Sequence, residues 1–440
     1  MAIESNRRVV ITGLGAVAPN GIGTEAFWDA TSKGRSGIKH RQHSHGPIQV
    51  AGSIDDFVAE NYIERKLVNR TDRMTHFAFA AIQEALYDSR LAIEQEDPVR
   101  VGAVIANTMG GVDFVLRQLQ ALYTRGPRFM SAYTAIAWLH VANVGQTAIR
   151  YGLQGYCKTP VNDTVGGLDA LGMAYGAIRR GAADVLITGG CEAFLHPFIL
   201  LVLAHQARCV LKDNPNAYRP FDRRAAGLIL AEGAGMCILE EYEHAIRRGA
   251  TIYGEIVGYG QTNDAHGLTA PSSNGTRYAR AIKLAMQEGN IAPQDIAYIS
   301  LDGRAIPSSD QGEAAALHLA FGSDLAHIPL SVPRTAIGHS YAAAGALDTI
   351  LALLALKHNL APPTINCEEL DPAHQLQLVR DEAQPLRQPA SGEQQAVLIG
   401  GRGIGGTNVA LAIKKDFLAA RPTCSSPIDR GSGGRNIKAV

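Results

Sequence analysis

Residues able to do covalent or acid–base chemistry are few in this 440-residue chain, and their spacing narrows the options at once. Six cysteines, at 157, 191, 209, 237, 367 and 424, form no CxxC pair and no other metal-ligand spacing. No metal is expected, and in a reducing compartment these residues stay thiols, most of them small buried hydrophobes. The run Asn162-Asp163-Thr164 leads through Val165-Gly166-Gly167 into a helical pattern. Asp163 there can cap the helix, and the Thr164 hydroxyl is a nucleophile only if a base activates it. Asp302, Arg334, His339 in Gly338-His339-Ser340, and Arg402 complete the polar candidates. Glycines 403, 405 and 406 serve a tight backbone turn, because no strand–GxGxxG–helix context follows; neither a nucleotide nor another cofactor is expected.

The elements that must hold these residues alternate. Short β-branched runs at 9–13, 101–107, 183–190, 235–240 and 297–303 are separated by helical patterns, which predicts an α/β fold with largely parallel sheets. Several runs are apolar at most positions, as in strands covered on both faces. Residues 75–87 have helical periodicity, and 344–356 reads as a core helix between sheets. A second set of patterns opens at about Thr251 and ends on a strand at 409–415, so two similar halves are expected, 7–250 and 251–415, although no short repeat is visible. Residues 416–440 shift to Ser, Gly, Pro and Arg and read as a flexible tail.

Lys plus Arg and Asp plus Glu both number 41, so no net field gathers nucleic acid or anionic lipid. Neither nucleic acid nor membrane is expected as a partner. The opening MAIESNRR lacks an apolar signal core, and the best apolar runs are broken by His196, His205 and Asp348, which reads as cytoplasmic.

Four motifs in order, RRVVITGLGAVAPNGIG at 7–23, RPFDRRAAGLILAEGAGMCILE at 219–240, GHS at 338–340 and GIGGTN at 403–408, resemble β-ketoacyl-(acyl carrier protein) synthases of the thiolase fold, over about residues 7 to 415. Within that family the segments VDFVLRQLQALY at 112–123, SAYTAIAW at 131–138, GQTAIRYG at 145–152 and VGGLDALG at 165–172 are similar to the chain length factors, the ketosynthase-like partners in type II polyketide synthases. The resemblance implies a five-layered αβαβα fold of two duplicated halves. It also implies a heterodimer with a Cys-containing ketosynthase alpha subunit, and an acyl carrier protein that brings the polyketide on phosphopantetheine.

The resemblance further implies a site from which the chemistry has been removed. Decarboxylative condensation needs a thiolate at a helix N-terminus, and Thr164 stands in that slot. The first of the family's two histidine motifs reads Asp302-Gly303-Arg304-Ala305-Ile306, while His339 matches the second. An ionised aspartate accepts where the reaction needs a donor, and it repels a malonyl carboxylate. Arg334 holds the family's lysine position and can lock an ion pair with Asp310, Glu313 or Asp348. Arg402 replaces the phenylalanine gate. Chain length factors often carry glutamine at the nucleophile slot, so a priming role for Thr164 does not carry over.

What remains is a wall. In the family a helix at the dimer interface lines the far end of the acyl tunnel at i, i+3 and i+7, which here are Val112, Val115 and Leu119, with Met109, Tyr133 and Thr134 as further candidates. Read as bare pattern, the same stripe is ordinary core. Two other functions compete: a homodimeric acyltransferase using Thr164 or a displaced nucleophile such as Cys157, and a scaffold of the same fold with no tunnel.

Overall fold

The computed structural model describes residues 7–41, 46–205, 209–211, 213–388 and 394–415. The tail expected at 416–440 lies outside the described residues.

Ten strands make the body of the sheet: β1 Val9–Ala18, β2 Val101–Ala106, β3 Cys157–Lys158, β4 Val185–Glu192, β5 Gly233–Glu241, β6 Gly254–Asn263, β7 Ile296–Ser300, β8 Leu330–Ser331, β9 Ala396–Arg402 and β10 Thr407–Lys414. In space they run β8-β7-β9-β10-β6-β1-β5-β4-β2-β3. From β1 outward the neighbours are antiparallel β5, antiparallel β4, then β2 and β3 parallel to it. From β6 outward the same pattern returns with β10, β9, β7 and β8. The duplication invisible as a sequence repeat is therefore explicit in topology, and an antiparallel β1–β6 pairing through Val9 and Ile256 joins the halves.

The expectation of largely parallel sheets is corrected by this pattern. Each half closes on a strand that returns directly beside its predecessor. For β9 and β10 the return is the Gly403–Gly406 turn, and a hairpin can only be antiparallel.

Six helices matter for the site: α1 Arg73–Ser89, α2 Val112–Arg125, α3 Gly166–Arg179, α4 Thr276–Glu288, α5 Pro307–Phe321 and α6 Ala344–His358. Strand alternation sorts side chains into layers. Ala103 and Ile105 of β2 face α1, where Met74, Phe77 and Ala81 cover them, while Val104 and Ala106 face the middle of the molecule. There α3 and α6 lie between the half-sheets, with Leu168, Leu171, Leu347 and Leu351 packed on Leu186, Val397 and Leu411. On the far side α4 and α5 present Ile282 and Leu317 to Ile299 and Leu398. The result is five layers, αβαβα. Being covered on two sides, α6 is buried at every position from Ala344 to Leu356, which explains a helix apolar all round.

The central layer brings two helix N-termini together. Gly167, in the first turn of α3, lies so close to α6 that a Cβ there would sit 2.5 Å from the Ala342 carbonyl oxygen. Glycine lets the turns at Asp163–Val165 and Tyr341–Ala343 meet.

Candidate functional site

Thr164 sits in the turn that feeds α3 and is buried. Its Oγ1 donates to the Arg402 carbonyl at 2.7 Å. The same oxygen accepts from Arg304 Nη2, which also donates to the Arg402 carbonyl. The nearest carboxylate is Asp163, its Oδ2 3.2 Å from Thr164 Oγ1, and that oxygen also receives the Ile404 amide at 2.8 Å. Asp163 thus ties the α3 turn to the glycine turn of the second half, and it adopts φ +46 to do so. With a guanidinium on one side of the hydroxyl and a carbonyl on the other, the arrangement anchors Thr164 in one orientation.

Arg304 is the residue that sequence reasoning missed. It lies in the segment where the expected histidine motif had become Asp302-Gly303-Arg304-Ala305-Ile306, and the signal was a cation two residues after an acidic one between the apolar Leu301 and Ile306. Its Nε donates to Asp302 Oδ2 at 2.8 Å, and 2 % of the residue is exposed.

Asp302 is shared by two cations. Its Oδ1 receives Arg334 Nη1 at 2.9 Å, and Arg334 Nη2 reaches Asp348. Among the three carboxylates named for Arg334 the structure selects Asp348. Burial pushes the Asp302 carboxyl up, but the Arg304 and Arg334 guanidinium groups outweigh it and hold the group below the usual carboxylate range. Asp310 and Glu313 serve the backbone instead. Spaced i, i+3 on α5, they accept the amides of Phe221 and Arg304 and of Asp302 and Gly303 respectively. Burial and the Asp302 charge raise Glu313 to about 7, and burial carries Asp310 well above its ordinary value.

His339 is fully buried. Arg334 Nη1 lies 2.9 Å from its Nε2, and the Tyr341 amide lies 3.2 Å from Nδ1. Both ring nitrogens thus face an N–H donor, and since a neutral imidazole accepts at only one, the shorter contact makes Nε2 the acceptor from Arg334. Burial first and the Arg334 charge second hold the imidazole far below its ordinary pKa, so it is neutral. With a donor facing each ring nitrogen, His339 has no N–H turned toward an open acceptor position.

Arg402 turns its side chain away from Thr164. Its Nη1 donates to the Ser309 carbonyl at 2.9 Å and its Nη2 to the Ser272 carbonyl at 2.6 Å, with Asp264 3.6 Å away. The side chain ties α5 to the loop before α4, and only the backbone carbonyl of Arg402 meets Thr164. Cys157, on the edge strand β3, packs against the outer α1-side cluster, a different layer from Thr164.

The helix predicted around Val112, Val115 and Leu119 is α2, and all three side chains are half-buried, whereas Phe114 is its buried residue. Met109 and Val112 pack on the cluster of Phe194, Leu200 and Tyr341. Tyr341 stacks edge-on with His339 at 5.8 Å, so this cluster abuts the polar centre. Asp72, the N-cap of α1, also receives the Phe114 amide at 2.7 Å and so fixes the start of α2; burial raises it to about 7. Glu192, raised by burial to about 8, receives the amides of Thr108 and Met109. Tyr133 and Thr134 stand apart from the Met109–Val112 cluster. Tyr133 lies at the surface under the Arg70 guanidinium, 4.5 Å from the ring centroid, and the Thr134 hydroxyl bonds the Ser131 carbonyl at 2.6 Å.

Large apolar side chains crowd the surface on either side of residues 109–112. Ile136, Trp138, Leu139 and Val141 are exposed in the segment whose backbone touches Gly110 and Gly111, and Phe198, Leu201 and Val202 are exposed on the helix that carries Leu200. Among the described residues no cluster of side chains could hold a metal ion, and no helix is long and apolar enough to cross a membrane.

Two helix N-termini meeting between duplicated half-sheets, with a buried side chain on the first, define a thiolase-like chain of the condensing-enzyme class. The chain belongs to the β-ketoacyl synthase family: residues 6–245 match its N-terminal domain and 253–368 its C-terminal domain. It is 38 % identical over 412 residues to the tetracenomycin polyketide synthase ketoacyl synthase beta subunit of Streptomyces glaucescens, covering 92 % of this chain and 98 % of that relative. Among solved structures it is similar to a type II polyketide synthase acyl-carrier protein in complex with its ketosynthase bound to the hexaketide, with a TM-score of 0.84, 28 % identity, and 93 % and 99 % of the two chains covered. The ishigamide ketosynthase/chain length factor matches with a TM-score of 0.83 and 27 % identity over 92 % of this chain and 98 % of that one.

Proposed function

We propose that this chain is the non-catalytic chain length factor, the ketosynthase beta subunit, of a type II polyketide synthase. It forms a heterodimer with a Cys-containing ketosynthase alpha subunit. It contributes to the tunnel that receives a growing poly-β-ketone from acyl carrier protein and limits the number of malonyl extensions. The observation that carries this reading is the state of the centre. Where a thiolate would be acylated, a threonine hydroxyl is bonded to an arginine and a carbonyl, and the surviving histidine accepts from Arg334. The beta-subunit relative and the chain-length-factor structure support the assignment.

In this reading the halves divide near residues 250 and 251, and Val112, Val115 and Leu119, with Met109, form the tunnel wall. Their half-burial supports it, because a residue that is core within one chain would be covered already, whereas these await a second surface. The exposed apolar residues around them fit the same partner. Tyr133, at the surface, fits the rim of that interface better than the wall, whereas Thr134 is already covered within the chain.

The test is co-expression with a Cys-containing ketosynthase, followed by size analysis of the complex and mass analysis of products on loaded acyl carrier protein. A stable heterodimer in which only the partner becomes acylated is expected. Stable acylation of this chain alone, at Thr164 or Cys157, would return it to the rival class of homodimeric acyltransferases.

A further inference from the structure

The missing thiol explains why this chain cannot carry an acyl group, yet it does not explain why a fully buried arginine lies against Thr164. A silent site could have been filled with an apolar side chain at lower cost, since taking a guanidinium out of water is expensive even when it is paired. The backbone around Arg304 is also bent to put it there. Gly303 adopts φ +47, with a Cβ excluded by Val332 at 2.5 Å, and Ala305 adopts φ +54 although it is not glycine. The Tyr218 hydroxyl holds the Gly303 carbonyl at 2.8 Å, and the Gly227 amide holds the Ala305 carbonyl at 2.7 Å. A left-handed alanine flanking a buried charge is strain kept in place by its surroundings, and such strain marks functional positions.

We propose that Arg304 is a built-in bolt. It occupies the approach to the α3 N-terminus, so that the pantetheine arm and acyl chain are excluded from this subunit's own centre and can be loaded only in the partner. This goes beyond, and rests on, the chain-length-factor reading, for it makes silence a matter of steric closure as well as of a lost nucleophile. Three groups fix the bolt: Asp302 at Nε, and Thr164 and the Arg402 carbonyl at Nη2. Thr164 belongs to the first half and Asp302, itself held by Arg334, to the second, so the bolt is anchored in both halves of the fold.

Restoring the nucleophile alone therefore leaves the site closed, and the sign of the effect distinguishes a bolt from a simple charge. A guanidinium beside a cysteine favours the thiolate and would make T164C more reactive if electrostatics alone operated. A bolt makes it less reactive. The experiment is timed iodoacetamide labelling of the full-length chain carrying T164C, T164C/R304A or T164C/R304Q, with each cysteine read by peptide mass. Cys237, with no exposed surface, serves as internal reporter of unfolding.

Labelling at position 164 should be at least about tenfold faster in the double variants than in T164C, with Cys237 protected in all three, because reaction at a closed site waits on local opening. Equal or faster labelling in T164C overturns the proposal. So does a rise at position 164 that merely tracks Cys237, which would make Arg304 a support of the fold. Protection that persists in both folded double variants overturns it as well. This assay reads access to one position, so it can fail while the product-length test of the chain-length-factor reading succeeds, and the converse holds too.

Discussion

The polar centre and the α2 face lie next to each other and are finished in opposite ways. At the centre the long charged side chains are all paired inside the chain: Arg304 and Arg334 share Asp302, Arg334 also reaches Asp348, and His339 accepts from Arg334. A few residues away, Val112, Val115 and Leu119 are only half-covered, and Trp138 and Ile136 face solvent. The first region pairs its charges within the chain, with Arg334 Nε and Asp348 Oδ1 the buried atoms left without a hydrogen-bond partner. The second is incomplete as a free chain, because apolar surface of this density gains free energy only when another surface covers it. A subunit that has lost its chemistry and kept its interface should look like this.

The sharpest way to break the comparison is Asp302→Ala. It strips the carboxylate from two buried guanidinium groups, and the loss should be about 3–5 kcal/mol in urea unfolding of the isolated chain or the complex. A loss below about 1 kcal/mol would mean that the centre is hydrated and not internally paired. Trp138→Asp should do the reverse. It is expected to leave the unfolding midpoint nearly unchanged but weaken association with the ketosynthase by about 2 kcal/mol or more, read by size-exclusion or sedimentation of the mixed subunits.

Product length is the next, smaller lever. In an intact heterodimer, Val112→Phe or Val115→Phe should shift products toward fewer extension units while the partner still forms its acyl-enzyme, since a packed wall resists added volume. Thr164→Ala should leave length unchanged. If neither bulky variant moves the distribution, the wall lies elsewhere and the α2 stripe only packs.

The smallest effect concerns Asp72, which joins α1 to the start of α2. Burial raises its pKa from the ordinary carboxylate value to about 7. The folded state therefore binds its proton more tightly than the unfolded chain, and the associated stability is present at low pH and is lost as pH rises through about 7. Relative to D72N, the natural chain should lose on the order of 1 kcal/mol per pH unit between about pH 5 and 7. Unfolding midpoints of the two chains across that range check the slope, and parallel curves would show that Asp72 is solvated.

Much of this molecule was legible in its sequence. The apolar β-branched runs at 9–13, 101–107 and 183–190 became β1, β2 and β4, and the apolar stretch from 344 became the central α6, because local periodicity and two-sided burial leave a direct trace in residue type. Motif order gave the family, and the residue types at 164 and 302 alone removed the thiol and one histidine, whereas the groups that surround the Thr164 hydroxyl came only with the fold. Strand direction was not legible at the close of each half, because an antiparallel return and a parallel crossover leave the same apolar pattern. Nor was Arg304. Its neighbours in sequence are Gly303 and Ala305, whereas its partners are Thr164 and the Arg402 carbonyl, 140 and 98 positions away, and Asp302. Which carboxylate held Arg334, which way Arg402 turned, and that Arg334 came to face His339 were likewise decided only when α3, α5 and α6 converged. Residue type limits what a side chain can donate or accept, but which long-range partner it meets depends on the packing of layers that local sequence does not encode.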